Sequence, residues 1–242
     1  MSMTLDEYKA RAKADLDDAF EKGKAQGGGG DGFYDLFWDT LQNNGNPIQY
    51  NYLFAYNWND EMFQPKHNIV ATFCNGMFHT SNITSLKGKL DALGLTFDVS
   101  QCTTLLQMFQ GSNVKDVPII DASNATSMSY TFGSRPAVET IEKLILSNKL
   151  TNVGNAFQYA ENLTHVIFEG ELAITGLDMH WSTKLDAESY HSLMGILSKT
   201  TSSMSVVLPK YDIVKATYDA VYGEGAWDAL VAEKPNWTIA YN

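Results

Sequence analysis

The spacing of hydrophobic residues changes several times along the chain, and each change predicts a different element. Over residues 4–25, Leu5, Tyr8, Ala12, Leu16, Ala19 and Phe20 recur every three or four positions on a charged background, which predicts an amphipathic helix. That stripe is narrow and alanine-rich, so the helix needs a partner to be stable in water. Leu5, Tyr8, Ala12, Leu16 and Phe20 are its candidate oligomerisation face. The run GGGGDG at 27–32 reads as a hinge, since it lacks the Lys-Ser/Thr pair of a phosphate loop and follows a helix rather than a strand. A short aromatic helix follows from Phe33 to an Asn-Gly stop.

At 49–58 the period switches to two. Tyr50, Tyr52, Phe54, Tyr56 and Trp58 alternate with Gln49, Asn51, Leu53, Ala55 and Asn57. A strand would carry all five rings on one face. That face could cap a core, stack on sugar rings or meet another subunit, and Tyr50, Tyr52, Tyr56 and Trp58 are its candidate binding residues.

From residue 68 the chain repeats itself. The segments starting at Cys102, Ala125 and Leu150 share a Thr at the second position, an apolar residue three places after the start (Leu105, Met128, Val153) and a Phe seven places after it (Phe109, Phe132, Phe157). The phenylalanines lie 23 and 25 residues apart, and a degenerate copy carries Phe78, 31 residues earlier. Within a copy, Val153, Ala156, Phe157 and Ala160 have helical spacing, and Leu163, Val166 and Phe168 bend into a strand. The middle copy carries an insertion of two or three residues. Units this small cannot bury their own apolar faces, so the pattern predicts stacked units sharing one core, a solenoid. Val117, Ile119, Leu144, Leu146, Val166 and Phe168 are the expected inward set. Pro118, Ile145 and Ile167 are expected to form an outward apolar row that meets a partner or the N-terminal helix.

After residue 185 the periodicity becomes that of ordinary helices and strands. Asp186 suits an N-cap, flanked by Leu185 and Tyr190 at the positions of a hydrophobic staple. Tyr190, Leu193, Met194 and Leu197 line that helix. A strand at SVVLP, a helix ending at Gly223, a short turn of helix at Trp227 and a last strand at NWTIAYN complete a closing unit.

The expected architecture is α/β: a short leucine-rich-repeat-like solenoid with an N-terminal helical arm and a C-terminal helix/strand cap. Its expected parts are a helix and hinge over 1–32, an aromatic cap over 33–67, repeats over 68–184 and a closing α/β unit over 185–242.

Composition narrows the function. A formal charge of −11 over 242 residues argues against a protein that grips nucleic-acid phosphates or anionic membrane, since both need a basic face. No apolar run has the roughly 20 residues needed to span a bilayer. No secretory h-region opens the chain. Cys74 and Cys102 are too few for a disulfide framework and are expected to be reduced and buried. The five histidines have no metal-ligand spacing, and Asp178-Met179-His180 lacks further ligands. Neither a nucleophile elbow nor a reactive-cysteine signature is present. No catalytic, cofactor or metal residue is therefore assigned. The Asn-x-Ser/Thr sites at Asn82, Asn124, Asn162 and Asn236 read as turn residues.

The units TTLLQMFQGSNVKDVPII and TNVGNAFQYAENLTHVIFEG resemble the BspA-type leucine-rich repeat, with its Met-Phe or Ala-Phe pair before a Leu-x-x-Val/Leu-x-Ile strand. The flanks FWDTLQNNGNPIQYNYLFAYNWNDEMFQPKHNI and WSTKLDAESYHSLMGILSKTTSSMSVVL…KPNWTI are similar to those of repeat proteins from phages and prophages of gut Firmicutes. The resemblance spans residues 33–242. It implies a non-enzymatic virion- or tail-associated protein whose repeats serve host-surface binding or assembly. The expected partners are a host protein or surface glycan, other virion proteins and further copies of the chain. The expected location is the virion or cytoplasm. A bacterial surface adhesin of the same repeat class is the alternative, and a polysaccharide-degrading tail enzyme ranks below it.

Overall fold

A computed structural model describes residues 51–198 and 203–242. The candidate helix bearing Leu5, Tyr8, Ala12, Leu16 and Phe20, the hinge, the aromatic helix and Tyr50 lie outside the described residues.

The described chain runs β1 (Ile69–Val70), α1 (Lys87–Leu93), β2 (Phe97–Asp98), β3 (Asp116–Val117), β4 (Ile120–Asp121), β5 (Thr140–Leu146), β6 (His165–Gly170), β7 (Leu177–Asp178), α2 (Ala187–Ile196), β8 (Met204–Leu208), α3 (Tyr211–Tyr222), α4 (Ala226–Ala232) and β9 (Trp237–Tyr241). All strand pairings are parallel, in three separate sheets: β1 with β2; β3 and β4 successively along one edge of β5 with β6 on the other; and β7-β8-β9.

This overturns the expected solenoid. The α/β class agrees, but no sheet runs through the repeats, and four helices among the described residues accompany three small open sheets. Two local causes interrupt the strands. At Pro118 the missing N–H cannot join a ladder, and the edge strand splits into β3 and β4. Across the break the alternation slips, so that Pro118 is buried and Ile119 is 39% exposed, the reverse of the expected phase. In β5 the extra residues of the middle copy form a bulge, and the register with β6 shifts between Ile141 and Leu144.

The repeats instead meet through irregular turns. The spacing of Val153, Ala156, Phe157 and Ala160 predicts helix, yet this stretch forms successive turns. The reason lies in paired left-handed residues four positions apart: Tyr52 and Tyr56, Gly76 and Thr80, Gln107 and Gly111, Tyr130 and Ser134, Asn155 and Tyr159. A residue at positive φ ends helical propagation. Part of the backbone N–H groups then close three-residue turns, as from Met108 to Leu105 O at 3.2 Å. Others cross to the next copy, as from Gln107 to Ser129 O at 3.0 Å and from Phe109 to Thr131 O at 2.8 Å. The turn backbone is thereby hydrogen-bonded without a helix or a strand.

These crossings hold the phenylalanines in a ladder. Rings of Phe54, Phe78, Phe109, Phe132 and Phe157 follow one another at centroid separations of 5.3, 5.2, 5.4 and 5.3 Å, all stacked and all fully buried. Phe54 belongs to this ladder, so the described part of the alternating aromatic stretch, residues 51–58, is itself a turn of the repeat type and not a strand. Phe54 and Trp58 enter the core with Phe63, while Tyr52 and Tyr56 lie on the other side of the turn.

Cys74 and Cys102 form a disulfide, with Cα atoms 6.1 Å apart, where a reduced pair was expected. It joins the two copies separated by the longest repeat interval, the one that also contains α1. Asp116 of β3 supplies what α1 lacks at its start. Its carboxylate accepts from Leu86 N at 2.7 Å, Gly88 N at 2.8 Å and Ser85 Oγ at 2.7 Å.

Helix α2 closes the other end of the central sheet. Asp186 is its N-cap and accepts from Ser189 N at 2.8 Å. One turn apart, the hydroxyls of Ser189 and Ser192 accept from Val166 N at 2.9 Å and Phe168 N at 3.1 Å. The free edge of β6 is thus satisfied by serines, which leaves no pairing template there. Beyond it, α3 and α4 pack over β8 and β9, with Trp227 fully buried and its Nε1 donating to Tyr241 Oη at 2.9 Å.

Candidate functional site: an aromatic and cationic cluster on the turn face

Among the described residues the strand side carries no apolar row. In register, Ile145 of β5 lies between Asp121 of β4 and Glu169 of β6, and the bulge carries Ile167 out of line with it. Pro118 is buried, while Ile145 and Ile167 are half-buried. Pro118, Ile145 and Ile167 are therefore not brought together. Ion pairs occupy this side instead, from Lys115 to Glu139 at 3.1 Å, Lys143 to Glu169 at 2.7 Å and Lys87 to Glu142 at 3.7 Å.

The candidate aromatics at 50–58 separate in the same way. Trp58 is 4% exposed and is a core residue, with its ring edge-on to Phe54 at 5.2 Å. Tyr52 is half-buried; Tyr56 is 37% exposed. Their rings stack at 6.4 Å, with His79 at 5.8 and 5.5 Å from the two. Burial, then the neighbouring Tyr56, pushes the Tyr52 phenol above its ordinary pKa.

A second cluster lies farther along the same turns. Tyr56, Thr80, Gly111, Ser134 and Tyr159 occupy equivalent positions, each two residues after a phenylalanine of the ladder. Tyr159 meets the Trp181 ring at 4.4 Å, and Trp181 meets His180 at 4.4 Å. The guanidinium of Arg135 lies over the Tyr159 ring, 5.6 Å from its centre. Tyr159, Trp181 and His180 are half-buried; Arg135 is exposed. The one acid in the cluster, Asp178, accepts from His180 N at 3.0 Å and pairs with His180 Nδ1 at 2.6 Å.

Arg135 differs from the ion-paired lysines. It is the only arginine among the described residues and has no ion pair there. Lys87, Lys89, Lys115, Lys143 and Lys215 each lie within reach of a carboxylate. It also follows Ser134 in the left-handed region, at φ +58° after +59°. Two consecutive non-glycine residues there are uncommon. Sequence reading missed this cluster because Arg135 and Tyr159 come from different copies and Trp181 and His180 from the segment after the last one. The Asp178–His180 spacing was legible, but the structure makes it a local pair with Trp181 beside it.

Among the described residues no group of three His, Cys, Asp or Glu side chains could hold a metal ion. A shallow depression lined by Leu197, Ser198, Glu233, Lys234, Pro235, Asn236 and Trp237 lies in the closing unit, away from this cluster. No helix among the described residues is long and apolar enough to cross a membrane. The cluster's equipment is ring faces, one cation and the Asp178–His180 pair. No protein-family model, curated protein or solved structure matches this chain.

Proposed function

We propose that the chain is a non-enzymatic recognition protein of a phage or prophage particle that binds the host cell surface through the turn face of its repeats. The observation that carries this reading is the Arg135–Tyr159–Trp181 cluster, a set of partly exposed rings beside a cation with no acid of its own. The resemblance of the repeats and their flanks to those of gut-Firmicute phages supplies the biological setting. The Cys74–Cys102 disulfide agrees with a protein that works outside the cytosol, as virion and cell-surface proteins do. That same bond favours, as a second reading, a bacterial surface adhesin.

The test is co-sedimentation of the full chain with protease-treated cell walls of a gut Firmicute, followed by assay of the supernatant for reducing ends. Saturable binding without released sugar supports the reading. Released reducing ends would make the protein an enzyme, and absence of binding would remove the host-surface role.

A further inference from the structure

We infer that the Arg135–Tyr159–Trp181 cluster is a binding site for an anionic saccharide. The reading of the chain as a surface-recognition protein supplies the ligand class, and the geometry supplies its charge. Trp181 and Tyr159 meet at 4.4 Å with planes inclined by 51°, and both remain partly exposed. The rings pack on each other, and the parts of both that stay exposed offer apolar surface to a sugar ring. The half-buried His180, 4.4 Å from Trp181, adds a hydrogen-bonding group whose ring is oriented by Asp178.

The sign of the ligand follows from Arg135. With a net charge of −11, the molecule repels anions generally, so an acidic ligand is held only where a local cation reverses that field. The described lysines closest to acids have their charge spent on the protein, as Lys143 has on Glu169. Arg135 has not. Stacking over Tyr159 aligns its guanidinium beside the ring platform, and its donor fork suits a carboxylate or phosphate oxygen pair. The backbone is consistent with this assignment. Ser134 and Arg135 are both held at positive φ, and Ser134 Oγ accepts from Gln110 Nε2 at 2.8 Å, fixing the turn that presents the arginine.

The experiment titrates the full chain, by calorimetry and tryptophan fluorescence, with tri-galacturonate, mannose 6-phosphate and neutral maltotriose. The acidic probes distinguish a uronic-acid carboxylate from a sugar phosphate. At least one acidic probe is expected to bind about tenfold or more tightly than maltotriose. Arg135→Gln should remove that preference while leaving thermal stability within error, and Trp181→Phe should lose the ligand-induced fluorescence change. Equal affinity for acidic and neutral probes, or an unchanged preference in Arg135→Gln, would overturn the site; so would absence of binding to all three. Wall binding that persists in Arg135→Gln would sink this site and leave the host-surface reading standing. Acidic-sugar binding without wall binding would do the opposite.

Discussion

The phenol of Tyr52 donates a 2.9 Å hydrogen bond to Gln107 Oε1, 55 positions along the chain, and its ring crosses Gly76 on the way. These residues occupy equivalent left-handed positions in three consecutive turns. A methyl group on Gly76 would fall within the Tyr52 ring. Stacking of the turns thus depends on one position being glycine so that the next can carry a large ring.

Gly76→Ala should lower unfolding free energy by about 2 kcal/mol, from the left-handed backbone and the displaced ring together. Denaturant unfolding measures it. Tyr52→Phe, which removes only the hydrogen bond to Gln107, should cost about 1 kcal/mol.

The phenylalanine ladder packs each copy against the next. Phe109 is nearly parallel to both neighbours, at 1° to Phe78 and 6° to Phe132. Phe109→Ala should cost about 4 kcal/mol, and Phe109→Leu about 1.5, since leucine restores volume but neither stack. An equal loss in both variants would show that ring stacking adds nothing to burial.

The disulfide gives a redox-dependent stability. Replacing both Cys74 and Cys102 by serine should cost about 3 kcal/mol under oxidising conditions, for a bridge spanning 28 positions. Dithiothreitol should weaken the parent protein and leave the double variant unchanged. Thermal melts with and without reductant decide this.

Acid stability should fall below pH 4. Burial opposes ionisation of Asp186, yet hydrogen bonds from Ser189 and His165 hold its carboxyl below the usual value. Hydrogen bonds from Lys215 and Trp227 N hold Asp219 at about 2. Their folded pKa values lie below the unfolded ones, so the contribution is complete above about pH 4 and is lost as pH falls through the folded values. At the alkaline end the sign reverses. Burial raises the phenols of Tyr52, Tyr190, Tyr218 and Tyr241, so the unfolded chain loses their protons first and stability declines as pH rises above about 10. Urea midpoints across pH 2–11 should trace a plateau with both shoulders.

How legible this was from sequence depends on how local each feature is. Asp186 and the helix it caps were readable because a cap is set by its own neighbours. The phenylalanine spacing was readable as a repeat, and the rings do stack. The conformation between them was not, because left-handed residues four apart produce the same apolar spacing as a helix at 153–160 and mimic a strand at 52–58. The signal that would have corrected the latter is that Phe54 precedes Phe78 by 24 residues, close to the other intervals. The Pro118 break and the β5 bulge defeated the expected outward row, since a slip of one residue exchanges the faces of a strand. The disulfide and the Arg135 cluster join separate copies and exist only once these are stacked.

The central claim is that recognition belongs to the turn face and not to the strand side. The most direct measurement compares wall co-sedimentation of the parent chain, Trp181→Ala on the turn face and Ile145→Thr on the strand side, each first shown to melt cooperatively. The account predicts that Trp181→Ala loses at least about tenfold in affinity, as expected for a central aromatic anchor, and that Ile145→Thr binds like the parent. Loss confined to Ile145→Thr, with Trp181→Ala unimpaired, would contradict it.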